Sequence, residues 1–187
     1  MSNIQSVLSL LQHGNQLKRT MRTGWAMRGI PNVENVAAHT YGAAYTALIL
    51  APHLPVPLDM GKVLSLVVIH DLPEGVTTDI PTPAWRYLPD GVKSDVERKA
   101  MRAIVGEGEQ AEQLMALWEE MNGKATAEAK LVHDADKLDM YLQVAAYERH
   151  GTEALREFWH KRKIFHYDLA QQIYDLLRAD SGFDTIA

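Results

Sequence analysis

The sequence predicts an all-α fold, a single helical bundle, on three observations. Apolar residues recur at three- and four-residue spacing along most of the chain. Candidate caps and prolines fall at the ends of those stretches. No convincing alternating strand or internal repeat interrupts them; the β-branched run Val67-Val68-Ile69 imitates a buried strand, but its flanks keep helical spacing. With 187 residues, 47% hydrophobic and 23% charged, the chain has the size and composition of one domain with a real core. The expected unit is 1–187, with its core over about 17–150 and C-terminal helices over 152–178.

Each element has its own signal. Leu8, Leu11 and Leu17 mark a first amphipathic segment, which Ser2 or Asn3 would cap. A Gly- and Pro-containing loop, Gly24 to Asn35, follows. Val36 to Leu50 reads as a buried, alanine-rich helix stopped by the Pro52–Pro57 stretch. Asp59 caps a helix through Val63, Leu64, Val67 and Val68 to His70-Asp71. Pro73, Pro81, Pro83 and Pro89 then punctuate the chain, so Thr77 to Gly91 is expected to be a long ordered loop, a feature that is often functional. Helices are expected again at Val92–Val105, Glu109–Met121, Thr126 to about His150, Thr152–Trp159 and His166–Arg178, with a frayed tail after Asp180. The Leu114, Leu117 and Trp118 stripe fits the core better than a pairing surface.

Bulk chemistry excludes several classes. A formal charge of −5 argues against a nucleic-acid polymer as partner. It leaves a small phosphate ligand open, because a bound metal supplies local positive charge. The absence of cysteine removes disulfides, thiolate zinc sites and cysteine nucleophiles, and fits a reducing compartment. Met1 to Thr20 has no signal-peptide core, and Val63–Ile69 is too short to span a bilayer. The expectation is a soluble, cytoplasmic protein with no membrane partner.

Three places offer imidazole nitrogen or carboxylate oxygen, the donors that hard and borderline divalent cations prefer. They are His39; the doublet His70-Asp71, with Glu74 one turn on and Asp79 beyond; and Asp136. The doublet ends an apolar helix, where an ionised carboxylate is costly unless paired or metal-bound. The long helix from Thr126 to about His150 contains a competing doublet, His133-Asp134. Lys130 and Lys137 flank Asp134 at helical spacing, so a solvated ion pair suffices for it. Asp136 has Val132 and Met140 four residues to either side and faces inward. Each residue alone has a plain structural reading: His39 as a core histidine, Trp25 as a core plug, Asp79 as a turn residue, and Lys18, Arg19 and Arg22 as a solvated basic face. Their company gives the chemistry weight.

The order His, His-Asp, Asp on three helices resembles the HD-domain metal phosphohydrolases. The branch it is most similar to is the 5′-deoxynucleotidases, through Lys18-Arg19-Thr20-Met21-Arg22-Thr23-Gly24-Trp25, Glu34-Asn35-Val36-Ala37-Ala38-His39, His70-Asp71-Leu72-Pro73-Glu74, Thr77-Thr78-Asp79-Ile80-Pro81-Thr82-Pro83, and Ala127-Glu128-Ala129-Lys130-Leu131-Val132 leading to Asp136-Lys137-Leu138. The resemblance implies that His39, His70, Asp71 and Asp136 hold one divalent cation, of Mn, Co, Mg, Fe or Zn. Glu74 would be the acid–base or water-orienting group, or help hold a second cation. Asp79 would be a second essential carboxylate over the substrate, with Asp71 also at the substrate. Trp25 would line the nucleoside pocket, and Ile80, Pro81 and Thr82 would flank the substrate. Some relatives carry an arginine just before the tryptophan that helps exclude ribonucleotides. Here that position is Gly24: either Arg22 reaches the same space or sugar selection is looser. The implied reaction turns deoxyribonucleoside 5′-monophosphates into deoxynucleoside and phosphate, in a homodimer.

Two rivals remain at this stage. A nucleoside triphosphate or signalling-nucleotide hydrolase of the same superfamily would need converging basic side chains, for which Arg86, Lys93 and Arg98 are available. A non-enzymatic nucleotide-binding regulator has no need for both spare carboxylates, Glu74 and Asp79.

Overall fold

The computed structural model describes residues 3–81, 84, 87–151 and 153–183, so Met1, Ser2, Thr82, Pro83, Trp85, Arg86, Thr152 and the final four residues lie outside the described set. The architecture is all-α, and the described residues contain no strand, only an isolated antiparallel bridge between Met21 and Asn35. In chain order the helices are α1 (Asn3–Gln16), α2 (Thr23–Ala26), α3 (Val36–Leu50), α4 (Met60–Ile69), α5 (Glu74–Thr77), α6 (Val92–Val105), α7 (Glu109–Gly123), α8 (Ala127–Arg149), α9 (Glu157–His160) and α10 (Asp168–Asp180). Short 3₁₀ turns occupy Ala51–His53 and Glu153–Leu155.

Side-chain caps fix three helix starts where the local sequence supplies them. Asn35, Asp59 and Thr126 each accept the main-chain N–H three residues on, from Ala38, Lys62 and Ala129, opening α3, α4 and α8. The three helices they open carry the site. Helix α8 is the central element: α3 lies along it, and α4, α7 and α10 pack around it. Ala43 and Ala47 of α3, Val63, Leu66 and Val67 of α4, and Leu131, Val132, Ala135 and Leu138 of α8 are buried together. A second cluster joins Ile69 to Met101, Ile104, Met115 and Trp118.

Several elements depart from the sequence reading. The Gly24–Asn35 loop is preceded and partly replaced by α2, because buried Trp25 anchors one helical turn that ends at Gly29, where φ is 71°. Leu8 and Leu11 face outward with Ile4, and only Leu17 of the expected stripe is buried. The expected helix Thr152–Trp159 is two pieces, a 3₁₀ turn and α9. Trp118 is buried, and its indole N–H donates to the His70 carbonyl at 3.3 Å, satisfying an acceptor at the end of α4.

Candidate active site

Helix α4 delivers His70 and Asp71 and then stops. Pro73 has no N–H to continue the ladder, so the chain turns and restarts as α5 with Glu74 as its first residue. Glu74 therefore reaches the site from a new short helix rather than from one more turn of α4. Thr78, at φ 61°, ends α5 in a conformation unusual for a β-branched residue. The chain thereby turns so that Asp79 returns to α2, where its Oδ2 accepts the Thr23 N–H at 2.8 Å.

Four side chains from α3, α8 and the end of α4 converge. His39 Nε2 lies 3.1 Å from Asp136 Oδ1 and 3.7 Å from Asp71 Oδ2. His70 Nε2 lies 3.2 Å from Asp71 Oδ2, and the two imidazole centroids are 5.6 Å apart. One donor atom each of His39, His70 and Asp136 falls within a 4.8 Å span. The outer nitrogens fix both tautomers. His39 Nδ1–H donates to Asp139 Oδ2 at 2.7 Å, and His70 Nδ1–H donates to the Val67 carbonyl at 2.6 Å. Both Nε2 atoms are thereby turned toward the carboxylates.

The electrostatics follow from burial. Buried His39 would on that account alone lose its charge, and Arg22 opposes the charge further. Hydrogen bonds to Asp136 and Asp139 overcome both and push its pKa up to about 9. Asp71 and Asp136 are held well below the usual carboxylate range despite burial, Asp71 mainly by His70 and Asp136 mainly by Lys137. Glu74 goes the other way, to about 9, because it is buried and faces the charges of Asp71 and Asp79. Two buried atoms here make no aligned hydrogen bond, Glu74 Oε2 and His70 Nε2, the latter touching Asp71 Oδ2 only as an ion-pair contact. Such orphans cost about 1–3 kcal/mol each unless something else binds them. Two imidazole nitrogens and two carboxylates around those orphans make a donor set that fits a divalent cation.

The cluster opens into a pocket of about 470 Å³, lined among others by Arg22, Trp25, Asp71, Glu74, Asp79 and Asp136. Ile80 and Pro81 stand on its wall as well, whereas Thr82 lies outside the described residues. Trp25 is both core plug and pocket wall: it is 2% exposed, packs against Tyr147 and Phe158, and donates to Glu34 Oε1 at 2.8 Å. Arg22 does not occupy the space beside Gly24. Its guanidinium stands 3.5 Å from Asp71 Oδ2. Arg28 takes that space, donating to the Gly24 carbonyl at 2.6 Å, stacking over Phe158 and pairing with Glu157.

Three functional candidates escaped the sequence reading. Asp139, one turn after Asp136, orients His39. Lys137 pairs with Asp136 Oδ2 at 2.9 Å rather than with Asp134. Lys163 lines the pocket from the C-terminal segment. The spacing Asp136-x-x-Asp139 was the available signal for the first. Asp134 itself is corrected: it is not solvated but fully buried, and it binds the main-chain N–H groups of His166 and Tyr167. The position at which it stands, opposite Asp136 on α8, packs against the segment entering α10, and a buried carboxylate needs those donors.

The chain is similar to known proteins. The chain is 32% identical to the 5′-deoxynucleotidase HDDC2 of Homo sapiens over 178 residues, 92% of this chain and 85% of that protein. It is 30% identical to the 5′-deoxynucleotidase hdd1 of Schizosaccharomyces pombe, covering 95% and 92% of the two chains. Among solved structures, a conserved hypothetical protein from Pyrococcus furiosus superposes with a TM-score of 0.79 at 35% identity, covering 92% of this chain and 99% of its own. The HD domain pattern itself matches residues 14–174, which include every residue of the cluster, and the chain belongs to the HD-domain family.

Proposed function

We propose that this protein is a metal-dependent 5′-deoxynucleotidase, hydrolysing deoxyribonucleoside 5′-monophosphates to deoxynucleoside and phosphate. One observation carries the reading. His39, His70, Asp71 and Asp136 aim their donors at one point, at the inner end of a pocket walled by Trp25. These four residues would hold the cation, which supplies Lewis-acid polarisation of the phosphate and a water acidified for attack.

The chain's own groups do the rest. Glu74, protonated at neutral pH, gives its proton to the leaving 5′ oxygen as the phosphorus–oxygen bond breaks. Asp79, fixed by the Thr23 N–H, orients the attacking water and takes its proton. Arg22, held against Asp71, faces the phosphate, and Lys93 and Lys163 add positive charge along the wall. Trp25 offers a flat apolar surface to the nucleoside. Of the three basic residues that a triphosphate reading would use, Lys93 lines the pocket, Arg98 pairs with exposed Glu119 and is not part of the lining, and Arg86 lies outside the described residues.

A homodimer is supported by the outward apolar face of α3, where Tyr41 and Tyr45 stack and Leu48 and Ile49 are half exposed. A nucleotide substrate and a cysteine-free chain fit the cytoplasm. No described helix is long and apolar enough to cross a membrane. The test is a panel of deoxyribo- and ribonucleoside mono- and triphosphates with Mn²⁺, Co²⁺, Mg²⁺ and Zn²⁺, with free phosphate and pyrophosphate measured separately. Phosphate release from monophosphates, absent in His70→Ala, is expected; full activity after complete metal removal, or pyrophosphate as product, would refute the proposal.

A further inference from the structure

Where α8 meets the segment entering α10, a second group of donors comes together. His133 and Asp134 come from α8, and His166 from the segment that leads into α10. Two residues along a helix rotate a side chain by about 200°, so Asp134 faces away from Asp136 toward the segment entering α10, whereas His133, three residues before Asp136, stands only about 60° round α8 from it. Asp134 Oδ1 lies 2.8 Å from His166 Nδ1 and 3.7 Å from His133 Nδ1. The two rings meet edge to face at 4.9 Å between centroids. One donor atom from each of the three residues lies within 4.8 Å of the others.

Two features separate this group from an ordinary hydrogen-bonded cluster. His133 is 8% exposed, and its Nδ1 is buried without any hydrogen-bond partner. A buried imidazole nitrogen in that state is destabilising unless a ligand takes its lone pair. Asp134, moreover, is already held in place: its oxygens accept the main-chain N–H groups of His166 and Tyr167 at 2.9–3.0 Å. Those bonds are the outer support that keeps a ligating carboxylate oriented. Donors around a first-row cation stand roughly 3.0–3.4 Å apart, given bond lengths near 2.1 Å. The observed 2.8 and 3.7 Å bracket that span, so small side-chain rotations close the site.

We propose that His133, Asp134 and His166 form a second, structural cation site for a late first-row divalent ion, Zn²⁺ or Ni²⁺, which two imidazoles and one carboxylate favour over Mg²⁺. Binding displaces the proton now shared between His166 Nδ1 and Asp134 Oδ1, and it gives His133 Nδ1 its missing partner. Water completes the coordination from the side of exposed His166, which is also the entry path. Lys124 and Lys137 lie close enough to His133 to repel a cation, which keeps the affinity moderate. The clip ties α8 to the segment that carries Lys163, a pocket-wall residue. It does not depend on the reaction proposed above.

The test strips the full-length protein of metal and dialyses it against Zn²⁺, with bound zinc measured by elemental analysis. Wild type, His166→Asn, His39→Ala and the double variant are compared. Asparagine keeps a side-chain donor for Asp134, and circular dichroism verifies the fold. His166→Asn is expected to bind one equivalent fewer than wild type, or to bind it roughly 10–100-fold more weakly. It is also expected to lose part of the zinc-induced rise in Tm. His39→Ala retains the His166-dependent equivalent, and the double variant loses it. Equal zinc content and affinity in wild type and His166→Asn would overturn the second site. An unchanged content in His39→Ala would count against the active-site reading alone.

Discussion

Substituting Gly42 by alanine should weaken metal binding without touching a ligand. Gly42 lies one turn after His39 on α3, where that helix runs against α8. A Cβ placed on Gly42 stands 2.6 Å from Asp139 Cγ and overlaps Oδ1 more closely still. Real Cβ atoms do not sit within 3.0 Å of a neighbour, so the Asp139 carboxylate must leave. It then abandons its 2.7 Å bond to His39 Nδ1–H. A hydrogen bond to a charged group is worth about 1.5–3 kcal/mol. Loss of a group that orients a ligating histidine costs roughly 10–100-fold in affinity, or about 1.4–2.8 kcal/mol. The two estimates agree. Alanine meanwhile gains about 1 kcal/mol in helix propensity, which offsets part of the steric cost, so the variant should fold. The assay is activity against Mn²⁺ concentration, with Gly42→Ala, Asp139→Ala and the double variant side by side. The half-saturating Mn²⁺ should rise by that factor in each single variant, and the double should match Asp139→Ala because both act through one group. Unchanged half-saturation in Gly42→Ala, or a second full decrement in the double, would refute the reasoning.

Three further outcomes follow from the same geometry. Glu74→Gln should lower kcat by about 10²–10⁴-fold while metal content is retained, and rapid turnover by this variant would remove Glu74 as proton donor. Metal binding should release protons, because the metal-free protein holds a proton on His39 below about pH 9. Apparent affinity should therefore climb as pH rises toward that value and level off above it; calorimetry in buffers of different ionisation heat measures the released protons, and zero release at pH 7.5 contradicts the assignment. Asp134→Ala should cost about 2–4 kcal/mol of stability in denaturant unfolding, since it strands the main-chain N–H groups of His166 and Tyr167. A loss under about 0.5 kcal/mol, normal for a surface acid, would contradict the burial found here.

The readable part of the fold was the part fixed by local chemistry. Asp59 announces a helix start as a cap, and α3, α4 and α6 lie where apolar spacing and prolines place them, whereas the caps at Asn35 and Thr126 emerge from the structure. Asp136 was separable from Asp134 by its apolar neighbours, and the structure brings it to His39. Asp134 was misjudged because lysines at helical spacing supply a local explanation, whereas its partners arrive from over thirty residues downstream. Leu8 and Leu11 failed for a related reason: periodicity shows that a face is apolar, not which neighbour covers it. Arg28 was invisible for want of a third dimension, and the one-turn spacing of Asp139 from Asp136 hinted at a shared face without showing its partner. Asp139 acts across the α3–α8 contact, and Arg28 folds back over Gly24 and bridges to Glu157.

Anomalous diffraction from crystals grown with Mn²⁺ tests directly whether four donors share one cation. A single strong peak is predicted roughly 2.0–2.3 Å from His39 Nε2, His70 Nε2 and one oxygen each of Asp71 and Asp136. Density showing manganese bound elsewhere, with His39 still hydrogen-bonded to Asp136, would contradict the account.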